Sequence, residues 1–166
     1  MKPIIKGKVW KFGDNIDTDI IIPGRYLTLR DPDEMASHAF EPLDPEFGKK
    51  VKKGDIILGG KNFGSGSSRE EAPFVLKQLG IAAIVAESFA RIFFRNTINL
   101  GLPLIEIKDI SKKIDAEQEI EIDLPKGTLK KLKTNEVFKS TPIPDFLMDI
   151  LAAGGAIEAV KKRLKK

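Results

Sequence analysis

The chain has 166 residues, 42% hydrophobic and 31% charged, with a formal net charge of +4, which suits one domain (residues 1–166) with an ordinary core and excludes a disordered chain. Cysteine is absent and His38 is the only histidine, which excludes disulfides, thiol nucleophiles, a histidine-rich zinc site and any cluster held by this chain's own thiolates. Much of the positive charge lies in the tail Lys161-Lys162-Arg163-Leu164-Lys165-Lys166, which reads as a solvated terminus with no nucleic-acid face. No apolar run approaches membrane-spanning length, and Met1-Lys2-Pro3-Ile4-Ile5-Lys6 lacks the apolar core of a signal peptide, so the expected location is cytoplasmic.

In chain order, residues 4–12 alternate as a first strand, and residues 18–22 form a short apolar run closed by Pro23-Gly24, which predicts a second strand. A loop over residues 25–30 follows. Asp31-Pro32-Asp33-Glu34 reads as an N-cap with proline in the first turn, starting a helix through about Phe40 that carries His38; no acid is spaced to pair with that imidazole. Residues 55–58 form a short strand feeding the glycine loop at 59–70, and residues 68–79 form a helix ended by Gly80. The continuous apolar run 81–86 predicts a strand buried on both faces. Ser88 caps a helix over residues 89–100 that stops at Gly101, and residues 103–107 give another buried strand. Strand, helix, strand, helix, strand predicts a parallel core. From Glu117 the texture changes: residues 119–124 alternate charge with aliphatic, Pro125-Lys126-Gly127 turns, and Val137-Phe138 marks a partner strand, an antiparallel and half-exposed pair. Residues 145–153 and 156–164 read as two closing helices split by Gly154-Gly155.

Chemistry concentrates in Gly59-Gly60-Lys61-Asn62-Phe63-Gly64-Ser65-Gly66-Ser67-Ser68-Arg69-Glu70. Glycines admit a ligand close to the backbone, a helix starting near Ser68 aims unpaired N–H groups at an anion, and Arg69 adds a carboxylate-matching fork. The loop lacks the G-x-S-x-G elbow of hydrolases, the dinucleotide fingerprint and the lysine-bearing phosphate loop; by its glycines alone it could be purely structural. Arg25, Arg69, Arg91 and Arg95 tilt the balance towards a site, because ligands of open α/β sheets bind outside the strand carboxyl ends. Arg91 and Arg95 equally suit salt bridges such as one to Glu87. Phe89, Ile92, Phe93 and Phe94 read as core or interface.

Gly13-Asp14-Asn15-Ile16-Asp17-Thr18-Asp19-Ile20-Ile21-Ile22-Pro23-Gly24-Arg25-Tyr26-Leu27, the stretch from Asn62 to Glu70, and Ser88-Phe89-Ala90-Arg91-Ile92-Phe93-Phe94-Arg95-Asn96 together resemble the small-subunit family of 3-isopropylmalate dehydratases, from about Gly7 to Gly155. That family is similar to the swivelling C-terminal domain of aconitase. The resemblance implies an α/β fold, a swivelling β/β/α three-layer domain with a parallel-cored mixed sheet. It also implies a large partner subunit, in a heterodimer or heterotetramer, that holds a four-iron four-sulfur cluster and leaves this chain without metal. Ser65 stands where the family usually has cysteine.

The reaction implied is a hydro-lyase isomerisation of 2-isopropylmalate and 3-isopropylmalate in leucine biosynthesis. Ser67 matches the family's base, Arg69 the substrate-carboxylate clamp, with Ser68 beside it and Asn62 shaping the loop. The resemblance makes Asp17, Asp19 and Arg25 supporting or cluster-side groups, with a plain cap of the turn before the second strand the alternative for either aspartate. In the family it resembles, substrate choice follows the loop after Tyr26-Leu27, here Thr28-Leu29-Arg30: Leu29 suits an isopropyl group and Arg30 the extra carboxylate of a homoaconitate-type substrate, so homoaconitase or dual specificity is the alternative. A carboxylate-binding module without catalysis and a stand-alone serine hydrolase recruiting His38 are readings from other classes.

Overall fold

The computed structural model describes residues 3–165; Met1, Lys2 and Lys166, at the ends of the segments read as leader-free start and basic tail, lie outside them. Seven strands, β1 Ile4–Lys11, β2 Ile56–Leu58, β3 Ala83–Ala86, β4 Leu104–Glu106, β5 Glu119–Asp123, β6 Thr128–Lys131 and β7 Val137–Lys139, form one sheet in the order β4-β3-β2-β1-β5-β6-β7. Seven helices accompany them: α1 Thr18–Ile21, α2 Pro32–Ala36, α3 Phe47–Lys50, α4 Glu71–Gln78, α5 Arg91–Asn99, α6 Asp145–Ala153 and α7 Ala156–Leu164.

The first strand serves two half-sheets. Val9, Trp10 and Lys11 pair in parallel with β2, which continues in parallel to β3 and β4. Ile4 to Lys8 pair antiparallel with β5, which leads to β6 and β7. Because side chains alternate across a strand, the parallel strands feed two cores. Ile57, Ile84 and Leu104 pack with Leu76, Phe93 and Leu151 of the helices on one face. Ile56, Leu58, Val85 and Ile105 pack on the other face with Ile120, Ile122 and Leu129 of the antiparallel half. The antiparallel half therefore covers the back of the parallel half while helices cover its front, the expected mixed-sheet layering. Burying each of these aliphatic side chains is worth ~1.5–3 kcal/mol.

Several local expectations are corrected. Thr18–Ile21 is helical, with only Ile22 extended as its C-cap: the Asp17 carboxylate accepts from the Ile20 amide at 2.8 Å and caps α1. Ile21 and Ile22 are nonetheless fully buried, so the apolar run signalled burial while the cap set the conformation. Asp31 caps α2 as expected, accepting from the Asp33 amide, but that helix ends at Ala36 because the chain turns to give the Phe40 amide to the Ile21 carbonyl; His38 follows the helix. The helix after the glycine loop begins at Glu71, not Ser68, and α5 begins at Arg91 with Ala90 as cap. Ser88 does not cap α5, since its hydroxyl accepts from the Asn62 amide at 2.8 Å. The strand beside β5 is β6, unread in the sequence, with Val137-Phe138 one position further out. The one-turn α3 was also unread. The two closing helices have the expected bounds, meeting at Gly154 with φ +95°.

Candidate active site

The carboxyl ends of β1, β2 and β3 lie side by side, and the loops leaving them are stitched together by backbone hydrogen bonds. The Gly60 amide donates to the Gly13 carbonyl at 3.0 Å, the Gly64 amide to Ile16 at 2.7 Å, and the Phe63 amide to Ser88 at 3.0 Å. Phe63 is fully buried and packs edge-on against Phe93 at 5.5 Å between centroids, which pins the middle of the glycine loop to α5. Gly64 sits at φ +85°, and a Cβ there would meet the Phe93 ring at 2.1 Å; only glycine meets both demands. Gly66, at φ +96°, then turns the chain so that Ser67 and Ser68 face solvent.

Beside them is a cavity of about 390 Å³. Ser67, Ser68 and Arg69 come to it from the loop, Thr18 from α1, and Arg91 and Asn96 from α5. The expected hydroxyl and guanidinium thus meet in one cavity at the strand carboxyl ends. Arg69 is half-buried, ion-paired with the Asp19 carboxylate, and donates from Nη1 to the Ile22 carbonyl at 3.1 Å. Thr18 is buried; its hydroxyl donates to the Ser67 carbonyl at 3.0 Å and lies 3.4 Å from Ser67 Oγ, while its amide donates to the Ser65 carbonyl at 2.8 Å. That amide hydrogen bond closes a short parallel bridge between Asp17 and Ser65.

With α4 starting at Glu71, the bundle of free N–H groups expected at Ser68 lies three positions downstream, and Pro73 in its first turn has none to offer. Among the described residues, the side chain outside the loop within hydrogen-bonding reach of Ser67 Oγ is Thr18, at 3.4 Å, which the sequence reading did not single out as a site residue. No spacing pattern links positions 18 and 67; only the fold joins them. Asn96 was likewise unread in this role.

Other expected site residues stand apart from the cavity. Asn62, at φ +59°, shapes the loop by donating to Asn15 Oδ1 at 3.3 Å. Thr28, Leu29 and Arg30 follow a 3-10 turn at Gly24–Tyr26; Leu29 packs against the helix-side core, and none of the three lines the cavity. Arg25 reaches Glu41 at 3.0 Å and lies 4.7 Å from the Tyr26 ring. Among the described residues, Arg91 and Arg95 form no salt bridge, so the suggested pairing with Glu87 does not occur.

His38 does have an acid, contrary to expectation. Its Nδ1 lies 2.6 Å from Glu41, three residues on, and its ring stacks on Tyr26 at 3.7 Å. The Tyr26 hydroxyl also donates to Glu41. That hydroxyl foremost, then His38 and Arg25, holds the Glu41 carboxyl down at about 2. Committed to this cluster and absent from the cavity lining, His38 is not placed to serve Ser67, and a hydrolase pair finds no geometry here.

A four-iron cluster takes thiolate ligands. The chain has no cysteine, and among the described residues no group of three or more His, Cys, Asp or Glu could hold a metal ion, so the donors here do not fit such a cluster. No helix among the described residues is long and apolar enough to cross a membrane.

Residues 12–110 match the aconitase C-terminal domain family. The chain is 56% identical over 164 residues to the isopropylmalate/citramalate isomerase small subunit of Methanocaldococcus jannaschii, covering 99% of this chain and 98% of that protein. It is 53% identical to the 3-isopropylmalate dehydratase small subunit of Halothermothrix orenii, covering 97% and 98%. A crystal structure of 3-isopropylmalate dehydratase from Methanocaldococcus jannaschii superposes with a TM-score of 0.91 at 48% identity, covering 96% of this chain and 95% of that one. With the fold, the ordered motifs and the full-length likeness in agreement, this chain belongs to the 3-isopropylmalate dehydratase small-subunit family, built on the aconitase C-terminal domain.

Proposed function

We infer that this chain acts as the small subunit of a hydro-lyase that interconverts 2-isopropylmalate and 3-isopropylmalate by removal and re-addition of water, in leucine biosynthesis. The carrying observation is the convergence of Ser67 and Arg69 on one cavity. In this reading Ser67 Oγ takes the proton from the carbon beside a substrate carboxylate and returns it to the neighbouring carbon on rehydration. Arg69 grips a substrate carboxylate with Ser68 hydrogen-bonding beside it, the incoming group displacing Asp19 from the guanidinium or sharing it. Departure of hydroxide calls for a Lewis acid, which a four-iron cluster held by the partner subunit would supply. Ile92 and Phe93 on the cavity wall offer apolar contact to a branched alkyl group, which favours isopropylmalate over a substrate with a further carboxylate.

A second substrate has a specific support: one relative's name couples isopropylmalate with citramalate, which carries methyl in place of isopropyl on the same carbon skeleton. The large subunit is therefore the expected partner, and the medium is that of the other soluble steps of leucine synthesis, the cytoplasm. Mixing the purified chain with a cluster-loaded large subunit tests the reading. Turnover appears only on mixing, isopropylmalate and citramalate compete for it, and a homoaconitate-type acid competes poorly. Tight binding of a diacid by the isolated chain, with no turnover on mixing, would favour a carboxylate-binding module instead.

A further inference from the structure

We propose that the Thr18 hydroxyl is the positioning donor that makes Ser67 a usable base; the proposal rests on Ser67 being that base. A serine alkoxide in water is too unstable to form in quantity, so its oxygen needs a donor or a cation close by. The start of α4 does not supply one, because the helix begins at Glu71. Arg69 is engaged by Asp19 and the Ile22 carbonyl. The Ser67 carbonyl is itself turned inward, accepting from the Arg69 amide at 2.9 Å and from Thr18 Oγ1 at 3.0 Å.

Arg91 and Asn96 line the same cavity, but among the described residues the side-chain atom within hydrogen-bonding reach of Ser67 Oγ is Thr18 Oγ1, at 3.4 Å. A hydroxyl carries one proton and two lone pairs. While Ser67 is protonated, Thr18 gives its proton to the Ser67 carbonyl and can accept the Ser67 O–H. When Ser67 is deprotonated, rotation about the Thr18 Cβ–Oγ1 bond turns the same proton onto the alkoxide. No proton leaves Thr18; the Ser67 carbonyl keeps the Arg69 amide as its partner throughout. Thr18 can do this only because it is immobile: 2% exposed, in the first turn of a helix capped by Asp17, and tied by its own amide to Ser65. The same contacts also hold the Ser65-Gly66-Ser67 backbone in its turn.

The test compares Thr18→Val, of nearly the same shape without the hydroxyl, with Thr18→Ser, which keeps it, each assembled with the large subunit. Thr18→Val is expected to lower kcat roughly 100-fold, the lower end of what one donor to a developing oxyanion is worth, with KM within a factor of about 3. The rising limb of its pH–rate profile moves to higher pH, because the charged form of Ser67 loses its donor. Thr18→Ser stays within about 5-fold of the parent. In a Ser67→Ala background Thr18→Val costs nothing further. Melting temperatures of the isolated subunits check the fold, and Thr18→Ala, which adds no bulk, replaces a valine variant that fails it. An unaltered kcat in Thr18→Val, or a Thr18→Ser variant as impaired as Thr18→Val, overturns the proposal. Full activity in Ser67→Ala overturns the base reading instead, so the two failures are distinguishable.

Discussion

We propose that Arg69 meets its substrate already partnered. Its pair with Asp19 holds the guanidinium at the cavity edge, and Gly24, where a Cβ would come within 3.4 Å of Nη2, leaves it room. An ammonium in its place keeps charge but loses the fork. A hydrogen bond to a charged group contributes about 1.5–3 kcal/mol, so Arg69→Lys is expected to raise KM by roughly 10- to 100-fold with a smaller change in kcat; steady-state kinetics on the assembled enzyme measures it. At Glu41 the sign of the pH effect follows from the depressed carboxyl. Its ordinary value is 4.5 and the folded value about 2, so the stability it contributes is complete above about 4.5 and is lost as pH falls through about 2. Glu41→Gln should lower the melting temperature at neutral pH and flatten its decline between those limits.

The glycine loop shows what an element needs beyond its motif. Phe63 anchors it in the core, and Phe63→Ala removes a fully buried ring at a cost of ~3–5 kcal/mol; in urea titrations of the isolated chain the midpoint falls, and activity falls with the displaced Ser67. Glycines and hydroxyls at residues 59–70 were readable as a site because each type has a reason to be there. The start of α4 was not, since Ser68 has the right chemistry for a cap but Arg69 donates its amide to the Ser67 carbonyl and keeps the chain turning for two more residues. The α1 segment was misread for a similar cause: four β-branched residues over positions 18–22 suggest extension, yet one aspartate at position 17 caps a helical turn. Short elements such as α3 and β6 carry too few residues to show a period, whereas α6 and α7 run long enough, and are split clearly enough by Gly154-Gly155, to be read to the residue.

At the scale of the whole molecule, the parallel core followed from the order of strands and helices, while the closure of the antiparallel half over its back did not, because no local pattern records which face of β5 meets Val85. Both cores share the strands of one sheet, so we propose that residues 1–166 unfold as a single domain with one cooperative transition. The missing cysteines exclude a cluster held by this chain's own thiolates, and we propose on that ground that another chain supplies it. The positions of Thr18, Thr28, Leu29 and Arg30 relative to the cavity were set by tertiary structure alone. The central claim is that Ser67 moves the proton in a reaction completed by another subunit's metal. It is tested most directly by following solvent hydrogen exchange into isopropylmalate with the assembled enzyme carrying Ser67→Ala. Assembly by size exclusion with exchange and turnover both abolished is the predicted result; exchange at the parent rate would contradict it.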